Sequence, residues 1–541
     1  MKKSLQKGSG NLLKIRFMEI SAALLCILLS GILWGNMCAG FLAGALEITV
    51  LCLSVCMYAF ETASDYMIKR RLYRDQVKNV MQSMASVIPV SVLIAVIMAV
   101  ICLFSAAKLS ELFCASTHGI FPYVMIAPAI ALLGSQGAFR IYLSRMGDKK
   151  GVKRCCIIGT AAGTVSGIIA GFFASDLGGK VGALLRTDDV KASYTAAGVC
   201  AGISLGALIS LFGLLVVSAK SKRNNKELAE EGMSLVIDKR RDVIKNLRYG
   251  IPVCMIIPLV VIADHIVYRL SLGGEAGTAA LIGGWGSLGG FCLAIFGLFS
   301  VLMCVPFLEA WKEVIAAIMK KDTPTARTRL SGIIHLEFIL VIPVTFWLMA
   351  SGEELTRLFL RHGEEGAGLF FVVIVPLIIP ATACMINSFL LSGLSKNGIL
   401  MIDLVLAAGL HTAVLIITSR STGAVTHSII LAWYVFILIL LAMTMFEICV
   451  MLNYRQDWYR GIFSTVIAAG VGILPAVAVN ALLTELIGEI LTMLVSLVFS
   501  VSVYLVCLVL IRGLTSYELE RLPLGEYLLP IAERFERRDG E

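Results

Sequence analysis

From Ile20 to Ile511, apolar runs of about 20 residues alternate with short polar or charged breaks. As a helix, a run of that length matches the roughly 30 Å hydrocarbon core of a bilayer. Fourteen runs predict helices over residues 18–40, 41–63, 85–107, 121–144, 155–174, 194–218, 247–269, 278–306, 331–350, 366–391, 398–418, 426–450, 461–483 and 488–511. The first two share a short polar step at Gly35-Asn36. The expectation is an all-α polytopic membrane protein whose function lies within or across a bilayer.

Composition strengthens this picture. The chain is 58% hydrophobic and 15% charged, against about a quarter charged for soluble domains. No polar segment is long enough to fold alone; the longest, Lys220 to Arg248, reads as a cytoplasmic linker or a short surface helix.

Net charge is +9, and its placement assigns it to topology rather than to nucleic acid. With a cytoplasmic N-terminus, the inner segments hold 37 Lys and Arg residues and the outer segments 8, setting aside Arg140 at a helix end. Both termini are therefore expected in the cytoplasm of a cell carrying this protein in its inner membrane. The basic N-terminal region leads into a full span without a small-residue cleavage site, which reads as a retained anchor.

No enzymatic constellation is visible. The fifteen cysteines are scattered along apolar runs, with Cys155-Cys156 the one adjacent pair. No spacing fits a zinc site, and no phosphate-binding glycine loop is present. The outer loop Gly352 to Glu365 carries several charged residues, and it is short. The expectation is a non-enzyme with no metal or other cofactor.

An internal repeat gives the organisation. Val87-Ile-Pro-Val90 in the third run matches Val341-Ile-Pro-Val344 in the ninth, 254 residues and six helices later. The end of the fourth run, Tyr142 to Gly151, parallels the end of the tenth, Leu390 to Gly398. Because six is even, the halves are parallel repeats about an axis along the membrane normal. The expected organisation is a six-helix lobe (1–219), a charged linker (220–246), a second six-helix lobe (247–450), and two further helices with a cytoplasmic tail (451–541), the lobes flanking a central cavity. Pro89, Pro252, Gly286, Pro306 and Pro343 are the candidate hinge or packing positions.

Ionisable groups inside a bilayer mark function by default, although those near helix ends can reach water. Glu19, Arg140, Asp403 and Glu447 fall near inner ends; Glu47, Asp264 and Arg269 fall nearer outer ends. Asp264 and Glu47 are the candidate coupling-ion residues, since a carboxylate in a dry cavity can take up a proton or a monovalent cation. His411, near the middle of the eleventh run, reads as a packed core residue.

Several segments carry a family resemblance: Arg140-Ile-Tyr142 with Gly147, Tyr249-Gly-Ile-Pro252 with Asp264, Gly283 to Gly290 with Pro306, Leu391 to Lys396, and Arg512 to Thr515 followed by Leu519 to Pro523. In order and spacing the chain resembles the multidrug/oligosaccharidyl-lipid/polysaccharide (MOP) exporter superfamily, most closely its polysaccharide-biosynthesis and stage V sporulation protein B group, relatives of the lipid II flippases. It departs from the pattern in two places: Ile20 to Leu33 carries no arginine, and Ser54 to Phe60 carries no Gly-Pro.

The resemblance implies a flippase for a lipid-linked oligosaccharide or peptidoglycan precursor, with possible partners among cell-wall synthesis proteins. Arg140, Arg145 and Lys69 are then the candidate phosphate-binding residues, arginine being suited by its bidentate fork. Two alternatives stand beside this reading: a drug/cation antiporter of the same fold, and a transport-inactive scaffold in wall synthesis or sporulation.

Overall fold

The computed structural model describes residues 9–72, 76–230, 240–272, 277–360, 367–454, 459–511 and 513–514. Residues 231–239 of the linker, residues 361–366 of the Gly352–Glu365 loop, Arg512 and the Leu519–Pro523 motif lie outside the described residues. Among the described residues all regular structure is helical. Fourteen helices are long and apolar enough to cross a membrane. They are α1 (Leu12–Trp34), α2 (Asn36–Lys69), α3 (Val77–Cys114), α4 (Ile120–Arg145), α5 (Lys149–Leu185), α6 (Asp189–Lys220), α7 (Gly250–Leu272), α8 (Thr278–Leu308), α9 (Thr323–Ala350), α10 (Ala367–Gly393), α11 (Asn397–Thr422), α12 (Val425–Leu452), α13 (Gly461–Thr484) and α14 (Glu489–Leu510).

Each expected run is matched by one helix. The boundary between α1 and α2 falls at Gly35, whose φ of 91° breaks the helix in a region that glycine enters without steric cost. Helices α3 and α5 are much longer than their apolar runs. At about 1.5 Å per residue, the 38 residues of α3 rise some 57 Å, well beyond the hydrocarbon core. Side chains such as Leu93, Ile97, Ile101 and Phe104 form an exposed apolar stripe along it. Such a stripe is a liability in water and costs nothing against lipid.

Packing groups the chain into two compact units. The first is Met1–Leu298 with Ser395–Phe436; the second is Phe299–Leu394 with Ile437–Glu541. The division read from the internal repeat follows sequence similarity; this one follows packing, and it places α7, most of α8 and α11 with α1–α6.

In the first unit, α5 and α6 pair through small residues. A Cβ at Gly202 would fall on the Gly167 backbone, and one at Gly206 on Gly163. This permits the close backbone approach that replaces hydrophobic driving force inside a bilayer. The same device joins α2 to α8: a Cβ at Gly286 would fall on the Asn36 carbonyl, and one at Gly40 on that of Ile282.

Proline is accommodated differently at the expected hinges. Pro252 and Pro258 lie inside one continuous helix, Arg240–Leu272. Pro89 is on the exposed face of α3 and Pro343 on the buried face of α9. Pro306 belongs to the 3₁₀ turn Val305–Leu308 that ends α8.

In the second unit, α9 packs against α13 and α14 through Ile339, Ile342, Ala468, Tyr504 and Leu508, and the Tyr504 hydroxyl donates to the Ile339 carbonyl at 2.9 Å. Asp322 caps the N-terminus of α9, its carboxylate accepting from the Thr325 amide at 3.2 Å. Hydrogen bonds from Thr325 hold the Asp322 carboxyl below its usual value.

Candidate functional site

Two polar clusters are built inside the first unit, and α2 contributes carboxylates to both.

The first lies where α1, α2 and α4 run together. Arg140 is 1% exposed. Its Nη1 lies 2.8 Å from Glu19 Oε1 on α1, and its Nε and Nη2 donate to Gln136 Oε1 one turn earlier, at 3.0 and 2.7 Å. Gln136 is itself fixed from α6, accepting from the Ser210 hydroxyl and donating to the Ala207 carbonyl, both at 3.0 Å. Arg16 pairs with Glu61, donates to the Tyr58 carbonyl at 3.1 Å and stands over the Tyr58 ring. Arg145 and Lys69 both converge on Asp65, at 2.5 and 2.6 Å.

The three expected phosphate-binding residues therefore lie on α2 and α4 of one unit, each already held by a carboxylate. Arg140 and Arg145 are buried, whereas Lys69 is half exposed. Sequence reasoning missed Arg16, Gln136 and Asp65. Arg16 lies one turn into α1 and brings a partly buried guanidinium to the first helix.

Glu19, Tyr58 and Arg140 line a cavity of about 100 Å³ among α1, α2, α4, α5 and α6. The remaining wall is mostly apolar, including Leu46, Val50 and Ile203. That volume holds a few waters and is below the roughly 300–1,000 Å³ of ligand pockets.

Between the clusters, α2 takes a π turn over Ser54–Tyr58. Such turns are frequent at functional sites. Here α4 presses on it: Cβ atoms at Gly134 and Gly137 would meet Cys56 and Met57.

The second cluster joins α2 to α7, α8, α11 and α12. Glu47 Oε2 lies 2.8 Å from His265 Nδ1, and Glu47 Oε1 accepts from the Trp285 indole at 3.0 Å. The His265 and Trp285 rings stack at 4.1 Å, and Phe113 closes the imidazole edge-on at 4.8 Å. Next along α7, Asp264 Oδ2 accepts from the Trp433 indole at 2.8 Å. His411 Nε2 is 3.4 Å from Asp264 Oδ1, near enough for electrostatic attraction but not aligned as a hydrogen bond.

Glu47 and Asp264, the two expected coupling carboxylates, are thus held on neighbouring residues of α7, since Glu47 grips His265. His411, read from sequence as packed core, is indeed packed edge-on against Trp433 and Phe436, and it also faces Asp264. Gly286 serves close packing beside Trp285. Among the described residues no group of three or more His, Cys, Asp or Glu side chains could hold a metal ion.

No protein-family model matches the chain, and no curated protein matches it in sequence. Solved structures do resemble it in fold. The lipid II flippase MurJ in an inward closed conformation superposes with TM-score 0.62 at 13% identity, over 92% of this chain and 97% of that one. An inward-facing multidrug resistance transporter of the MATE family, in the MOP superfamily, gives 0.57 at 12% identity, over 81% and 96%. A MOP superfamily transporter from Pyrococcus furiosus, described as having a binding pocket of reverse polarity, gives 0.51 at 13% identity, over 83% and 96%. The chain has the fold of MOP superfamily transporters.

Proposed function

We propose that this protein is a flippase-type transporter of the cell membrane that moves a lipid-linked oligosaccharide or peptidoglycan precursor. The observation that carries this reading is the set of three guanidinium groups, Arg16, Arg140 and Arg145, gathered around α1, α2 and α4 and each held by one carboxylate. A diphosphate, like a carboxylate, offers pairs of oxygens that a guanidinium can bind bidentately. It can therefore take over the guanidinium contacts that Glu19, Glu61 and Asp65 make in the absence of cargo. The fold shared with a lipid II flippase supports the same reading.

The isoprenoid tail of such a cargo would stay in lipid while its head group enters between two six-helix lobes. In this proposal α1–α6 and α7–α12 are the lobes and both termini are cytoplasmic. Helix α2 meets α7 near both of its ends, at Glu47–His265 and where Gly250 lies against Ala59. Opening toward either side then requires separating one of these contacts. Glu47 and Asp264 are the proposed coupling residues, loaded by an ion gradient or driven by the membrane potential, which acts at about 2.3 kcal/mol per charge per 100 mV.

One observation favours the second reading, a drug or cation antiporter. The arginines near α1 are neutralised, and the second cluster holds two carboxylates, Glu47 and Asp264, that among the described residues pair with imidazole and indole rings and with no lysine or arginine. Complementation separates the readings. Expression in cells depleted of their own lipid-linked precursor flippase should restore growth. Failure to do so, together with acquired resistance to cationic drugs, would reverse the assignment. Recruitment of wall-synthesis proteins without transport would favour the scaffold.

A further inference from the structure

The second unit contains a buried acid that the two clusters do not involve. Glu337 sits at the middle of α9, 14 residues from Thr323 and 13 from Ala350, about 20 Å of helix rise from either end. It is 1% exposed. Among the described residues, no group donates a hydrogen bond to either carboxylate oxygen. Its buried neighbours along α9 are mostly apolar: Leu330, Ile333, Ile334, Val341 and Leu348, with Thr345 further along.

The titratable groups that reach it electrostatically are the Cys304 thiol of α8 and the Cys384 thiol of α10. Tyr504 of α14 is turned to the Ile339 carbonyl. Among the described residues, no lysine, arginine or histidine exerts a charge on Glu337. The nearby hydroxyls are spent on their own helices, Thr345 on the Val341 carbonyl at 2.9 Å and Thr382 on that of Ile378 at 2.7 Å. Cys304 Sγ is turned to the Thr382 carbonyl and to Met385 Sδ, at 3.8 and 3.6 Å.

An ionised carboxylate without a donor or counter-charge is costly in an apolar interior, and far more so inside a bilayer. A metal cation would need several oxygen ligands, and the surroundings offer thiols, a thioether and back-bonded hydroxyls. The proton is the ligand that this chemistry accommodates.

The helices around the acid are also interrupted. A 3₁₀ turn containing Pro306 begins one residue after Cys304. Another, over Val375–Leu377, contains Pro376 and precedes Thr382 and Cys384 in α10. Pro343 follows Glu337 in α9. Non-α turns within spans are tolerated where they serve cavities or hinges.

We infer that Glu337 is a proton-binding site of the second unit, holding a proton in the arrangement described here and exchanging it with water when movement at these breaks exposes it. On exchange the carboxyl O–H bond breaks, the proton passes to water, and the carboxylate is left hydrated. The site is separate from Glu47 and Asp264 and does not depend on the identity of the cargo.

The test uses the full chain in lipid nanodiscs and needs no substrate. The infrared difference between the wild type and Glu337→Gln at neutral pH should show a protonated-carboxyl C=O band. The band should fade as pH rises and be indifferent to replacing choline by sodium. Glu337→Asp, a second variant that keeps the acid, should shift the band rather than remove it. Wild-type thermal stability should fall relative to that of Glu337→Gln as pH rises toward the band's midpoint, and the difference should level off above it. A difference spectrum with only carboxylate bands at neutral pH overturns the inference. So does a carboxyl band that sodium converts to carboxylate at fixed pH.

Discussion

The two ends of α2 hold their carboxylates in opposite ways. Toward Lys69, Glu61 and Asp65 face the permanent charges of Arg16, Arg145 and Lys69. Toward Asn36, Glu47 faces the imidazole of His265 and the indole of Trp285, neither of which carries a fixed charge. A guanidinium–carboxylate pair keeps its charges across physiological pH. In the proposed function the arginine end would meet the anionic cargo and the histidine end would serve coupling; the π turn at Ser54–Tyr58 lies between them.

Breaking the arginine end should have the largest effect. Arg140→Ala or Glu19→Ala leaves one buried charge without its partner, a loss of about 3–5 kcal/mol for a buried pair. Thermal unfolding in detergent should show both single variants far below the wild type. Glu19→Gln/Arg140→Gln, which removes both charges, should recover most of the difference. A double variant no better than the singles would mean that the pair is not the unit of stability.

At the histidine end, Trp285→Phe removes one donor from Glu47 and should cost about 1–3 kcal/mol, the penalty of an unsatisfied buried acceptor. A melting temperature unchanged from the wild type would place Glu47 in contact with water instead. Gly286→Val tests the α2–α8 crossing beside it. The added carbons would meet the Asn36 carbonyl, and overpacking of this kind costs about 1–3 kcal/mol. An unaffected Gly286→Val variant would show that the two helices separate freely there.

The smallest effect is expected at Asp322, an exposed carboxylate that serves as the contrast to both ends. Its carboxyl is held below the ordinary value, about 3.9 for aspartate, by hydrogen bonds from Thr325. The folded state therefore binds this proton more weakly than the unfolded state. The contribution is present above the ordinary value and is lost as pH falls through the folded one. Asp322→Ala should lower the melting temperature slightly at neutral pH and by nothing in strong acid. An equal loss at both pH values would assign the effect to something other than the cap.

The spans were legible because hydropathy is local: each helix announces itself in its own 20 residues. Their true lengths were less so, since the ends of α3 and α5 carry Lys108, Glu111, Asp176 and Lys180 in helix that continues past the apolar run. Arg140, Glu47 and Asp264 could be picked out as charges in apolar surroundings. Their partners could not. Glu19 and Arg140 are 121 residues apart, His265 and Glu47 are 218 apart, and Trp433 and Asp264 are 169 apart. Pairing at such separations is set by packing, which leaves no local signature. Glu337 carried the same signal, a charge in apolar surroundings, and was passed over. It sits within a run apolar enough to read as a span, and no neighbour in sequence marks it.

The central claim is that the guanidinium end of α2 handles an anionic lipid head group. Translocation of a fluorescent lipid-linked sugar diphosphate in proteoliposomes tests it most directly, comparing the wild type with Arg140→Lys and Glu19→Gln/Arg140→Gln at matched amounts of folded protein. The account predicts transport by the wild type, reduced transport by Arg140→Lys, which keeps charge but loses the fork, and none by the double variant. Transport by the double variant at the wild-type rate would contradict it.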